Sequence, residues 1–183
     1  LEKNDNGKES LFAVQFKRDV DGNNLMGYSL PPVLNNYIAG SPVYDLMIVS
    51  DALLNSYETG DQRKSLNAVT FYVTSNGDTI RFEPMCFKYG DGIFKDKGTT
   101  YNDAYNSGVN YPILRYADVL LIYAEASNEG SGPTDDGYKA INMVRRRAFG
   151  VDINAASVHD LSGLDKESFR QAVWLERFRE FPF

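Results

Sequence analysis

The sequence predicts a mainly α-helical fold, with paired helices, long loops and one small β-hairpin. Three observations predict it. Residues 113–128 and 135–148 carry apolar positions at helical spacing and are joined by a short glycine-containing turn. A third helix opens at Leu164-Asp165, where an apolar residue precedes an acidic N-cap candidate. Two alternating runs rich in β-branched and aromatic residues, 68–73 and 79–82, flank Asn76-Gly77, a strong hairpin turn.

Taken along the chain, residues 11–16 form a short apolar run that suggests a strand. Residues 18–36 read as a loop, broken by Asp21-Gly22-Asn23-Asn24 and Pro31-Pro32. Ser41 offers an N-cap with Pro42 at the first helical position, and residues 43–58 are expected to be helical. Val43, Leu46, Met47, Leu53, Leu54 and Tyr57 would give that helix its apolar side, with Gly60-Asp61 ending it. After the hairpin, residues 90–110 are rich in Gly, Asn, Asp and Tyr and show no periodicity; a loop of that length is usually functional or disordered.

The last seventy residues carry the clearest pattern. On 113–128, Arg115, Asp118, Glu125 and Glu129 fall on one stripe, interrupted by Ile122, and nearly all the remaining circumference is apolar. A helix of that kind is expected to be sandwiched between others. Thr134 is the N-cap candidate of the next helix, whose core face is Ala140, Ile141, Val144 and Ala148 and whose stop is Gly150. Arg145, Arg146 and Arg147 near its end suggest a solvated or dipole-complementing face. In the third helix Leu164 should staple onto Phe169, followed by Ala172, Val173, Leu175 and Phe178; Trp174, one residue off that face, is expected in the core. Ala117, Ala124, Ala126 and Ala140 permit close helix crossing, so the first two helices form an αα-hairpin resembling one tetratricopeptide-like unit, with no second copy at a fixed period.

The chain has 183 residues and a formal net charge of -6, and an acidic surface argues against nucleic-acid binding. One cysteine, Cys86, cannot form an internal disulfide and is expected to be a small, partly buried side chain. The longest apolar run, 119–124, is too short to cross a bilayer, and no signal peptide is visible. Because the chain starts at Leu1 and stops on aromatics just past a strong helix, it is expected to be a piece of a longer polypeptide.

No catalytic constellation stands out. Asp118/Glu125 and Glu176/Glu180 are the paired carboxylates that glycoside hydrolysis would use, but their spacing fits helix-surface or inter-helix salt bridges better. His159, the only histidine, has no second ligand or nucleophile at motif spacing and is expected to be solvent-exposed. Gly90-Asp91-Gly92 lacks the third glycine of a phosphate loop. The run Asp19-Val20-Asp21-Gly22-Asn23 has oxygens enough for calcium but no EF-hand spacing, and ordinary turn use is expected. No metal site and no cofactor are expected. The compositional oddity is aromatic: 12 Tyr, 11 Phe and 1 Trp, with tyrosines in polar stretches. A tyrosine ring can stack on a sugar's apolar face while amides bond its hydroxyls. Asn36, Tyr37, Tyr101 and Tyr105 are chosen on composition as candidate ligand-binding residues within 22–40 and 90–110, and Tyr28 shares their setting.

Residues 115–126, RYADVLLIYAEA, resemble the "RYADVLLMYAEA" signature of the SusD/RagB family. The segment 140–148 resembles the following "ALNAVRRRAG" helix, and 169–181 the "FRDAILNERRRELAFE" helix. More loosely, residues 9–16 and Asp61-Gln62-Arg63 sit where such proteins carry an "E-x-I/L-F" segment and a "DPR"-like element. The resemblance implies a SusD-like α/α superhelix of tetratricopeptide-like pairs, here a single C-terminal domain or fragment over 1–183, with 1–110 the loop-rich binding part and 111–183 the helical scaffold. It also implies a non-enzymatic, lipid-anchored outer-membrane protein of Bacteroidetes-type cells. Such a protein binds glycans at the extracellular face and passes them to a SusC-like TonB-dependent transporter. The alternatives are a tetratricopeptide-like protein-interaction module and, less favoured, a glycoside hydrolase.

Overall fold

Thr134 and Asp165 start two helices where the sequence places them. Thr134 Oγ1 accepts from the Gly137 N–H at 3.1 Å and Asp165 Oδ1 from the Ser168 N–H at 2.8 Å, so each satisfies an amide that the first helical turn leaves unpaired. In the computed structural model, which describes residues 7–37, 43–74, 76–90 and 106–183, these caps open α5 (Asp135–Ala148) and α6 (Lys166–Glu180). Before them stands α4 (Tyr116–Ser131) and, earlier in the chain, the short α2 (Asp51–Ser56). The chain divides into two units: one takes in the sequence up to Ser50 together with Lys64–Ile113, the other Asp51–Arg63 together with Leu114–Phe183.

The second unit is helical. α4 packs on α5 and α6, and α2 rests on α6. Its core joins Ala117, Leu121 and Ala124 of α4, Ala140, Ile141 and Val144 of α5, and Phe169 and Val173 of α6. The Phe169 ring meets Tyr138 edge-on at 4.8 Å and 84°, and Leu164 packs against the same cluster, as the expected staple requires. The alanines let the helices approach closely, except Ala126, which is exposed. One face of α4 is open rather than sandwiched: Tyr116, Val119, Ile122 and Tyr123 are exposed. α4 also begins three residues later than expected. Tyr111–Arg115 is a strand, and the helix starts where the Asp118 carboxylate accepts from the Arg115 N–H at 2.9 Å.

The three consecutive arginines are not a solvated face. Arg145 is 5% exposed; its Nε donates to the His159 carbonyl at 2.8 Å, and Arg146 holds Asp160 and the Ile153 carbonyl. Arg145 and Arg146 tie down the connection between α5 and α6, where His159 stacks flat on Phe149 at 3.7 Å instead of standing free in solvent. Trp174 is the converse case. It is 49% exposed, its indole N–H donating to Glu125 Oε1 at 2.9 Å, because one residue's rotation off the Phe169/Val173 face turns it outward.

Glu176 and Glu180 form inter-helix ion pairs, as their spacing suggested, but deep inside the unit. Glu176 lies 2.7 Å from Arg63 and 3.1 Å from Arg145, and Glu180 lies 3.1 Å from Arg63, 2.8 Å from Arg115 and 2.6 Å from Arg147. Asp61 takes Arg63 through both carboxylate oxygens at 2.9 and 2.6 Å, and Glu58 bridges Arg145 at 3.0 Å and Arg179 at 2.6 Å. The segment Asp61-Gln62-Arg63 is thus wired to the helices; the Gln62 N–H also donates to the Ala148 carbonyl at 2.9 Å. Burial alone pushes the Glu180 carboxyl up, but Arg147, Arg115 and Arg63 outweigh it and hold it down at about 2, from an ordinary 4.5. A carboxyl depressed on folding contributes stability that is complete above its unfolded value and lost as pH falls toward its folded one. Urea midpoints should therefore fall between pH 5 and pH 3, and the fall should be shallower in Glu180→Gln; an equally steep fall in that variant would show that Glu180 is not a main source of the effect.

The first unit is built from short elements. β1 (Ser10–Val14) pairs with β4 (Tyr111–Arg115), and β2 (Val69–Val73) pairs antiparallel with β3 (Thr79–Met85). Gly77 takes φ 91° in the turn between the latter two, a conformation open to glycine. The helical pieces are α1 (Leu25–Ser29), a 3-10 turn (Pro32–Asn36) and α3 (Lys64–Asn67). Met26, Leu30, Leu34, Val43 and Met85 form the core, backed by Tyr72, Ile80 and Phe82, and Cys86 is fully buried. The helix expected over 43–58 is confined to Asp51–Ser56. Residues 43–49 are not helical because their amides are taken by distant carbonyls: Tyr44 by Gly27, Asp45 by Leu30, Leu46 by Tyr28 and Val49 by Pro84, while Asp45 has φ 51°. Ser41 and Pro42, the expected start, lie outside the described residues.

Candidate functional site

The sequence around Asp21-Gly22-Asn23-Asn24 folds as a turn whose shape comes from a second, distant Asn-rich segment. Asn106 Oδ1 accepts from the Asp19 N–H at 2.9 Å and its amide donates back to Asp19 Oδ1 at 2.7 Å. Asn110 Oδ1 accepts from the Phe16 N–H at 2.8 Å and its amide donates to Gln15 at 2.8 Å. Asn23 and Ser107 form a bridge, and the buried Asn23 side chain donates to the Val109 carbonyl while accepting from the Leu25 N–H. Asp19 and Asn23 are thereby spent on the turn, the ordinary use expected of that run. Gly22 is required here by close approach, since a Cβ would fall 2.7 Å from the Asn106 Cα.

This clamp opens a cleft of about 360 Å³. Phe16, Tyr28 and Tyr111 supply aromatic walls, Val14 and Leu25 aliphatic surface, and Gly22, Asn23 and Asn24 the polar margin. Tyr28 is 37% exposed, and Tyr111 is set by the ring of Tyr89, 5.6 Å away. Asn24 is exposed and its side chain makes no cap bond to α1. A second, more polar cleft of about 490 Å³ lies among Pro31, Pro32, Val33, Asp45, Arg81, Phe82 and Glu83. The first cleft offers ring faces and amide groups, with no acid or base among its described lining residues, and such surfaces suit the holding of a ligand.

Of the candidates named from composition, Asn36 closes the 3-10 turn and Tyr37 follows it, exposed, with its ring 6.2 Å from Tyr72 at 53°. Tyr37 is not among the residues that line the two clefts. Tyr101 and Tyr105 lie outside the described residues. Sequence reading missed Phe16 and Tyr111; their signal was the adjacency of an aromatic to each partner of the Gln15–Asn110 amide pair. The carboxylate pair Asp118/Glu125 is occupied elsewhere, Asp118 in starting α4 and Glu125 in holding Trp174.

One unit of paired helices and another that carries a loop-built cleft define the class of protein, and comparison with known proteins places the chain within it. The SusD family model matches residues 35–183, and the chain belongs to the SusD family. It is 29% identical over 174 residues to SusD-like protein P25 of Formosa agariphila, a match covering 95% of this chain and 30% of that protein. A SusD superfamily protein from Parabacteroides distasonis superposes with a TM-score of 0.78 at 22% identity, over 97% of this chain and 37% of the other. Surface glycan-binding protein A from Bacteroides fluxus superposes at 0.66 with 22% identity, over 100% and 39%. The chain spans about a third of the length of the curated relatives it matches. The helix-rich, tetratricopeptide-like fold expected from the sequence is the fold of these structures.

Proposed function

We propose that the chain is part of a non-catalytic surface protein that captures glycans, with the Phe16–Tyr28–Tyr111 cleft as a sugar-binding site. The observation that carries the reading is the cleft itself: three rings and an exposed amide, held open by a clamp of asparagines, in a family with surface glycan-binding members. A sugar stacks its C–H face on such rings and its hydroxyls find Asn24 and the tyrosine hydroxyls. Tyr37, with Asn36, Tyr101 and Tyr105, would extend contact to a longer glycan. The captured chain would pass to a SusC-like TonB-dependent transporter, from a protein lipid-anchored on the outer face of a Bacteroidetes outer membrane.

The non-catalytic part of the reading draws support from Glu176 and Glu180, whose oxygens are engaged by arginines instead of facing a bond to be cut. Affinity electrophoresis against a glycan panel, with reducing-sugar release measured in parallel, tests the proposal. Binding without release is expected. Tyr28→Ala and Tyr111→Ala should each weaken it about tenfold, the loss of one stacked ring. Full binding by the Tyr28→Ala/Tyr111→Ala double variant would move the site elsewhere, and sugar release would overturn the non-catalytic reading.

A further inference from the structure

The described lining of the first cleft carries no charge. Phe16, Tyr28, Tyr111 and Asn24 make its usable surface, and among the described residues that line it none is acidic or basic. An anionic sugar entering it would give up water around its carboxylate or sulfate without meeting a guanidinium or ammonium, the groups that repay that loss in anion sites. The flanking turn adds no net positive charge, since Lys17 and Arg18 are matched in number by Asp19 and Asp21. The second cleft carries no net positive charge either: Arg81 is the one cation among its described lining residues, and Asp45 and Glu83 line the same space. The chain as a whole carries -6, which lowers the local concentration of anions further.

We infer that this cleft selects an uncharged stretch of glycan, made of neutral hexose or pentose units, and discriminates against uronates and sulfated sugars. The inference rests on the glycan-binding reading above and adds the class of sugar. Stacking on three rings and bonding to an amide depend on C–H faces and hydroxyls, so binding should also be insensitive to salt.

The test uses matched polymers: polygalacturonate and its carboxyl-reduced galactan, beside neutral glucans, xylans and mannans and a sulfated galactan. Calorimetry at about 50 and about 500 mM NaCl spans the range over which exposed charge interactions are screened out. The expected result is at least about tenfold tighter binding of neutral polymers than anionic ones, with the neutral affinity unchanged by salt and lost in Tyr28→Ala. Preference for polygalacturonate or sulfated galactan, weakened by salt, would overturn this inference and leave glycan capture standing. Neutral binding that survives Tyr28→Ala would overturn the assignment to this cleft. No binding to any polymer would take down both readings together.

Discussion

Glu180→Ala should lower the stability of the helical unit by about 3–5 kcal/mol, the usual cost of stranding buried charges by removing one partner. The Glu180 carboxylate is nearly inaccessible and meets three guanidinium groups, on Arg63, Arg115 and Arg147. Without it those guanidiniums lose much of their compensation, although Arg63 keeps Asp61 and Glu176. Thermal melts followed by helical circular dichroism should show a drop of roughly 12–40 °C for a unit of this size. Glu129→Ala is the control, because Glu129 pairs with Arg170 at the surface and surface pairs contribute little. Equal melting temperatures for the two variants would refute a dominant role for the buried network. The network is a condition on the fold more than a source of excess stability, since a well-packed apolar cluster could occupy the same volume at similar free energy.

Phe169→Ala should cost a comparable amount, about 3–5 kcal/mol, for a different reason: it leaves a cavity. The ring is wholly buried, bounded by α4 and α5 core residues and by the edge-on Tyr138 ring. Tyr138 is fixed in turn by its hydroxyl, which accepts from the Leu164 N–H at 2.6 Å and lies 3.2 Å from the Leu164 carbonyl, so it cannot swing freely into the space. Urea denaturation of Phe169→Ala, Phe169→Leu and Phe178→Ala gives the comparison. Phe178 lies on the exposed side of α6 and should cost far less. If Phe169→Ala and Phe178→Ala lose the same stability, the core assigned to this unit is wrong.

What was legible in the sequence was local. Thr134, Asp165, Leu164 and Asn76-Gly77 act within four or five residues of themselves, and each does what its chemistry dictates. What was hidden depended on distant partners. Residues 43–49 have helical apolar spacing, yet carbonyls up to thirty-five positions away take their amides and keep them out of a helix. Arg145, Arg146 and Arg147 announced charge but not the buried carboxylates and loop carbonyls that receive it. Trp174 shows how little rotation separates core from surface on a helix. For the cleft, Tyr28 and the asparagine-rich turns were visible as composition, but Phe16 and Tyr111 sit 95 positions apart in the sequence and meet through hydrogen bonds that no periodicity encodes.

The burial of Cys86 gives the first unit a clock. It is the only thiol in the chain, it is fully enclosed, and burial pushes its pKa up, so in the closed state it is both unreachable and poor in the reactive thiolate. A disulfide-exchange dye can react only after the unit opens. Its labelling rate therefore reports how often the β2–β3 hairpin and its core part, on a molecule that needs no engineered probe. A bound ligand that stabilises this unit would slow the labelling, and the slowing would measure binding without any tag on the ligand.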